Sequence, residues 1–226
     1  QVSSAFSSSD GTIDNGDHRF QRFGARFQLV GNGGQTDLFA GYQRKEYGWP
    51  GMYTGNAAYP EYEDYEVALL VFNHTQKYGD GSNWSFGAYG RKFLDDYELN
   101  RDIPGYYRPY EHETRVGGAA LEGQHNMDAG FRVDWRVEGQ CDEIRSSDLT
   151  YADFMSRTYW KGAARLGRQF DFGGGDVLVQ LGAAYADTNR DDSGCGPIAR
   201  VTFNRNLLGG FTSSYVEFSR ATEVSG

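Results

Sequence analysis

Long apolar runs are missing from this chain. The longest, Val67 to Phe72, is six residues, against the roughly 20 that a membrane-crossing helix needs, so no such helix is expected. Cysteine is nearly absent. Cys141 and Cys195 are the only two, too few for a disulfide framework and at a spacing that fits no zinc pattern. Lys and Arg never cluster beyond a dipeptide, and the net charge is -9. That excludes nucleic-acid binding, which demands clustered positive charge against phosphates. Catalytic signatures are missing too. There is no G-x-S-x-G, H-E-x-x-H or G-x-x-x-x-G-K, and His18, His74, His112 and His125 are scattered, so the chain is not expected to be an enzyme. No charged segment followed by an apolar one opens the chain at Gln1, so no signal peptide is visible.

What is abundant is glycine, at 31 residues, and aromatics, with 16 Tyr, 15 Phe and 4 Trp, while the hydrophobic fraction is only 38%. This is β composition, neither that of a helix bundle nor that of a disordered chain. Low mean hydropathy does not exclude a membrane, because a transmembrane strand needs only about 10 residues and alternates apolar with polar.

The alternation is explicit. Phe131, Val133, Trp135 and Val137 fall on one face, and Arg132, Asp134, Arg136 and Glu138 on the other. Phe23, Ala25, Phe27 and Leu29 alternate in the same way with Arg22, Gly24, Arg26 and Gln28. Further apolar rows are Leu38, Ala40, Tyr42; Tyr65, Val67, Leu69, Val71; Trp84, Phe86, Ala88; Trp160, Gly162, Ala164, Leu166; Val177 to Tyr185 in alternate positions; and Ala199, Val201, Phe203. Short Gly/Asn/Asp turns at Asn32–Gln35, Gly79–Asn83, Asn126–Ala129, Gly173–Asp176 and Asn206–Gly210 carry the residues that tolerate the positive φ of tight hairpins. Longer connections alternate with them: Ser9–Asp17, Gly48–Glu61, Asp95–Arg108, Asp142–Arg157 and Thr188–Gly196. The rhythm predicts about 11 antiparallel strands, with tight turns at one end of the sheet and long loops at the other, which is the plan of an outer-membrane barrel. A soluble or surface β-sandwich binding carbohydrate through Trp49 also alternates. The barrel is preferred because the strands run to about 12 residues or more, against 5 or 6 in globular sheets, and because the inward set (Arg22, Arg26, Arg132, Asp134, Arg136, Glu138, Lys161 and Arg165) is charged rather than a second apolar layer.

The segment Thr36–Asp64, TDLFAGYQRKEYGWPGMYTGNAAYPEYED, resembles the early barrel of TonB-dependent outer-membrane receptors, in the branch that includes vitamin B12 and iron-siderophore transporters. The resemblance rests on Gly41, Tyr42, Gln43, then Tyr47, Gly48, Met52, Tyr53, Thr54, then Tyr62 and Glu63. The preceding SSSDGTIDNGDHRFQRFGARF also fits, and beyond about residue 75 only the hairpin rhythm agrees. It implies active uptake of a large scarce ligand, cobalamin or a ferric siderophore, across the bacterial outer membrane, with TonB as the energy-relaying partner. Receptors of this family hold a plug domain inside a 22-stranded barrel. These 226 residues contain no plug-like segment and about half that number of strands, so residues 1–226 are read as a partial receptor barrel, with the TonB complex engaged through the missing plug. A passive porin-like channel is the other barrel reading.

Three sets of side chains are candidates for chemistry. Tyr47, Trp49, Tyr53, Tyr106 and Tyr107 in the long loops offer flat apolar faces with polar handles for a large ligand, or else form the interfacial aromatic girdle of any such barrel, where Tyr42, Tyr65 and Tyr185 are placed. Asp10, Asp14, Asn15 and Asp17 supply close-spaced oxygens that suit calcium, which the cobalamin branch can hold in the corresponding loop; no other cofactor is expected. Asp191 and Asp192 are a weaker pair. Cys141 and Cys195 both fall on the long-loop side, where a disulfide is permitted.

Overall fold

The computed structural model describes residues 1–79, 81–105, 107, 110–149, 155–190, 193–207 and 210–219. It is all-β: β1 (Val2–Ser9), β2 (His18–Gly31), β3 (Gly34–Gly48), β4 (Tyr62–Tyr78), β5 (Ser82–Glu98), β6 (Tyr110–Asn126), β7 (Phe131–Ser146), β8 (Met155–Phe172), β9 (Gly175–Thr188), β10 (Gly194–Leu207) and β11 (Gly210–Ser219), with one 3-10 turn at Asp128–Gly130. All eleven strands lie in one antiparallel sheet in chain order. No ladder joins β11 back to β1 among the described residues, so the sheet keeps two open edges.

Turn chemistry fixes the tight end. Asn32 and Gly33 link β2 to β3 with φ of 51° and 75°, the left-handed pair that a two-residue hairpin needs. Register then decides the faces, since directly paired residues share one. Phe27 pairs Leu38 and Leu38 pairs Phe72; Phe72 pairs Ala88, Ala88 pairs Ala119, and Leu121 pairs Val137. Leu166 pairs Leu181, Val179 pairs Val201, and Val201 pairs Val216. The result is one uninterrupted apolar belt. On β9 it runs from Val177 to Tyr185, nine residues or roughly 30 Å along the strand. Towards the long loops the same face turns charged at Arg44, Glu66, Lys92 and Arg115, which sit in neighbouring ladders.

The other face is polar and concave. Gln180 on β9 donates to Asp134 on β7 at 2.6 Å, and Arg165 on β8 reaches Glu217 on β11 at 3.0 Å. Side chains from β5 through β11, including Asn83, Glu122, Asp134, Arg165, Arg200 and Ser213, enclose about 520 Å³. Charges in its middle pair with one another: Arg132 with Asp134, Arg136 with Glu122 and Glu138, Lys161 with Glu138. All eight of the charges expected inside lie on this face.

Almost nothing forms a hydrophobic core. Leu178 and Ile198 are the two hydrophobic side chains buried among the described residues, while Phe27, Leu70, Val137, Trp160, Leu166, Leu181 and Val216 stand exposed on the belt. The two-sheet sandwich does not hold, because a single sheet in chain order leaves no second layer over that belt among the described residues.

One strand differs from the expected facing. In β4, Tyr65, Val67, Leu69 and Val71 pair Asp95, Phe93, Arg91 and Tyr89 on the concave side, and Ala68, Leu70 and Phe72 form the belt. Apolar residues occupy both parities of β4, so alternation alone could not choose between them. Tyr65 is therefore no girdle residue, whereas Tyr42 and Tyr185 are on the belt face. The cysteines need a correction as well. Cys141 on β7 is a free thiol, and Cys195 lies on β10, three strand spacings away, or roughly 14 Å. A disulfide needs Cα atoms within about 7 Å, and the structure does not join the two.

Candidate functional site

A cluster of buried carboxylates and tyrosine hydroxyls lies at the long-loop end of β3, β4, β5 and β6. Glu63, the second residue of β4, shares the parity and therefore the face of Tyr65, and Glu61 lies in the loop just before the strand. Both carboxylates are buried, Glu61 at 0% and Glu63 at 3% exposure. Glu61 accepts the backbone N–H of Tyr53 (2.8 Å) and of Thr54 (3.0 Å) and the Thr54 hydroxyl (2.6 Å). Burial pushes its carboxyl up, but the Thr54 hydroxyl, these two amides and the Tyr97 hydroxyl outweigh that and hold it below the usual carboxylate range. Its role is to fold the Gly48–Glu61 loop back on itself, helped by Trp49 N–H to Glu61 O at 3.0 Å.

Glu63 gathers hydroxyls. It accepts from Tyr47, from Tyr65 at 2.5 Å and from Tyr53 at 3.1 Å. Burial, then hydrogen bonding to Glu63, pushes the Tyr47 and Tyr65 hydroxyls well above their ordinary values, and burial with Glu61 does so for Tyr97. Tyr53 meets Tyr97 edge-on at 5.0 Å between ring centroids, and Tyr97 meets Tyr110 at 5.6 Å. With Glu63, Asp95 and His112 these rings bound a cavity of about 500 Å³.

The loops around it interlock. Arg101 pairs with Asp17, 84 residues away, its N–H donates to Pro60 O at 3.1 Å, and its guanidinium lies 4.8 Å from the centroid of the Tyr62 ring. Hydrogen bonding to Arg101 holds the Asp17 carboxyl below its ordinary value. Gly48 lies beneath this clamp, where a Cβ would come within 2.1 Å of Asn15 O and 2.8 Å of Arg101 Nη1. Gly48→Ala is therefore expected to displace Arg101 and cost about 2 kcal/mol, read as a lower unfolding midpoint and faster proteolysis of the loops around Asp17, Gly48 and Arg101. An unchanged midpoint would show that the loops do not support one another.

No family model matches the chain, and no curated protein matches it. One similar solved structure is the beta domain of the Bordetella autotransporter BrkA, at 10% identity and a TM-score of 0.41, covering 92% of this chain and 85% of that one.

Of the loop aromatics, Tyr47 and Tyr53 are brought together on Glu63. Trp49 stands at the loop surface, 59% exposed, and Tyr107 packs edge-on against Tyr59 at 6.4 Å. Tyr106, Asp191 and Asp192 lie outside the described residues. Asp10 and Asp14 are exposed, Asn15 takes a left-handed φ of 58°, and Asp17 is engaged by Arg101. Among the described residues no three His, Cys, Asp or Glu side chains gather to hold a metal. Sequence reasoning missed Glu61, Asp95, Arg101 and His112. No local signal marks an acidic residue beside a loop such as Glu61 as buried, and nothing in the sequence links Arg101 to Asp17.

Proposed function

We propose that this chain is part of the barrel wall of a bacterial outer-membrane TonB-dependent receptor that takes up a large scarce ligand, cobalamin or a ferric siderophore. The observation that carries the membrane half of this reading is the uncovered belt: an eleven-stranded sheet with its large apolar side chains exposed on one face and matched ion pairs on the concave face. Water cannot satisfy the first face, and lipid cannot satisfy the second. Support for the uptake half comes from the resemblance over Thr36–Asp64, whose Tyr47, Tyr53 and Glu63 converge on one hydrogen-bonded cluster at the loop end. Lipid is then the partner of the belt, and the TonB complex the partner of the whole receptor.

A passive channel is supported by the polar concave face alone. The two readings separate in cells carrying the complete gene. Uptake of labelled cobalamin or ferric siderophore is expected to fall to background when TonB is removed. Flux that persists without TonB would overturn energised uptake in favour of the channel.

A further inference from the structure

Two carboxylates at the loop-end cavity lack the arginine partner that five other concave-face carboxylates have. Asp37, Asp134, Glu138, Asp142 and Glu217 each pair with an Arg. Glu63 and Asp95 face the same side, and among the described residues neither forms an ion pair with Lys or Arg; nor does either of those residue types line the cavity. Lys45, the nearest candidate in the ladder, places its ammonium over the Tyr47 ring at 4.2 Å. His112, paired with Asp95 across β5 and β6, is hydrogen-bonded to Ser146 Oγ at 2.6 Å and lies 3.9 Å from Asp148. Burial, and then the charge of Glu63, push the Asp95 carboxyl up from its ordinary value, and the opposing pull of His112 does not reverse this. Tyr53, Tyr97 and Tyr110 complete the wall with ring faces and edges in mutual contact. Two carboxylates and three tyrosine rings, with Thr54, Leu99 and His112, line a cavity of about 500 Å³, and carboxylates and ring faces both favour a cation.

We infer that this cavity binds the cationic head of an organic ligand, an ammonium or alkylated ammonium group, between Glu63, Asp95 and the three tyrosine rings. The inference deepens the uptake reading, in that it needs the loop end to face the outside medium, but its test requires no transport. The complete receptor, purified in a non-ionic detergent, is titrated by calorimetry with benzyltrimethylammonium chloride and, separately, with sodium benzenesulfonate. Saturable binding of the cation and none of the anion is expected. Asp95→Asn and Tyr110→Leu should each weaken the cation about tenfold, while Lys77→Ala, exposed at the tight-turn end of β4, leaves it unchanged. Asp95→Asn removes only a charge and Tyr110→Leu only an exposed ring, so loss of both together with an unaltered melting profile reads as loss of the site. Equal binding of the two probes, no binding of the cation, or indifference to both substitutions would overturn the inference and leave TonB-dependent uptake standing. Loss of uptake dependence on TonB would leave the cation site standing.

Discussion

Glu61→Ala is expected to release the Gly48–Glu61 loop while leaving the strands paired. The carboxylate is the acceptor for two backbone amides and a hydroxyl at 2.6–3.0 Å with no solvent contact. Removing it strands those donors in a place that water does not reach, at about 3 kcal/mol for the set, or roughly a hundredfold in the local opening equilibrium. Glu61→Gln should cost nearly as much. One oxygen accepts from Tyr53 N–H and the other from Thr54 N–H and its hydroxyl, so either orientation of the amide points NH₂ at a backbone donor. Amide hydrogen exchange at Tyr53 and Thr54 is the measurement, and unchanged protection would refute the role. The pH dependence has a fixed sign. Glu61 is held below its ordinary carboxylate range, so its contribution is fully present above the unfolded carboxyl pKa and is lost as pH falls through the lower folded value. Protection of Tyr53 and Thr54 should be flat through neutral pH and drop in acid below about pH 4.

The strand plan was legible because the signals that set it are local. Asn32-Gly33 is a hairpin turn by composition, and it is a hairpin turn in the fold. Phe131 to Glu138 could take only one facing, since all its apolar residues share one parity. Where β4 placed apolar residues at both parities, from Val67 to Phe72, the facing became a question of register, and register is set by the partners of a strand rather than by the strand. The site was less legible for a related reason. Arg101 and Asp17 meet across 84 residues, and Asp95 meets His112 only because β5 and β6 pair in one register. The aromatic loops could be seen in the sequence, but the buried carboxylates that organise them could not, because an acidic residue beside a loop is ordinarily solvated. Glu63 became a buried acceptor through the convergence of Tyr47, Tyr53 and Tyr65 from three separate positions.

Leu181→Arg and Leu29→Arg should have very different effects although the two leucines are almost equally exposed, at 65% and 61%. Both stand on the belt face, Leu181 paired with Leu166 and Ala199, Leu29 paired with Thr36. If water covered that face, an Arg at either place would change stability by no more than about 0.5 kcal/mol. In a bilayer the depth decides. Leu181 is the middle of the nine-residue apolar run of β9, whereas Leu29 is two residues from the end of β2 at the tight turn. A cation at the bilayer midplane costs about 2–4 kcal/mol, falling to about 0–1 near the interface. Refolding of the complete protein into phosphatidylcholine vesicles, followed by urea titration, should therefore show Leu181→Arg losing most of its folded fraction and Leu29→Arg losing little. Equal effects at the two sites would remove the lipid from the belt, and with it the reason for an apolar face that no other part of the sheet covers.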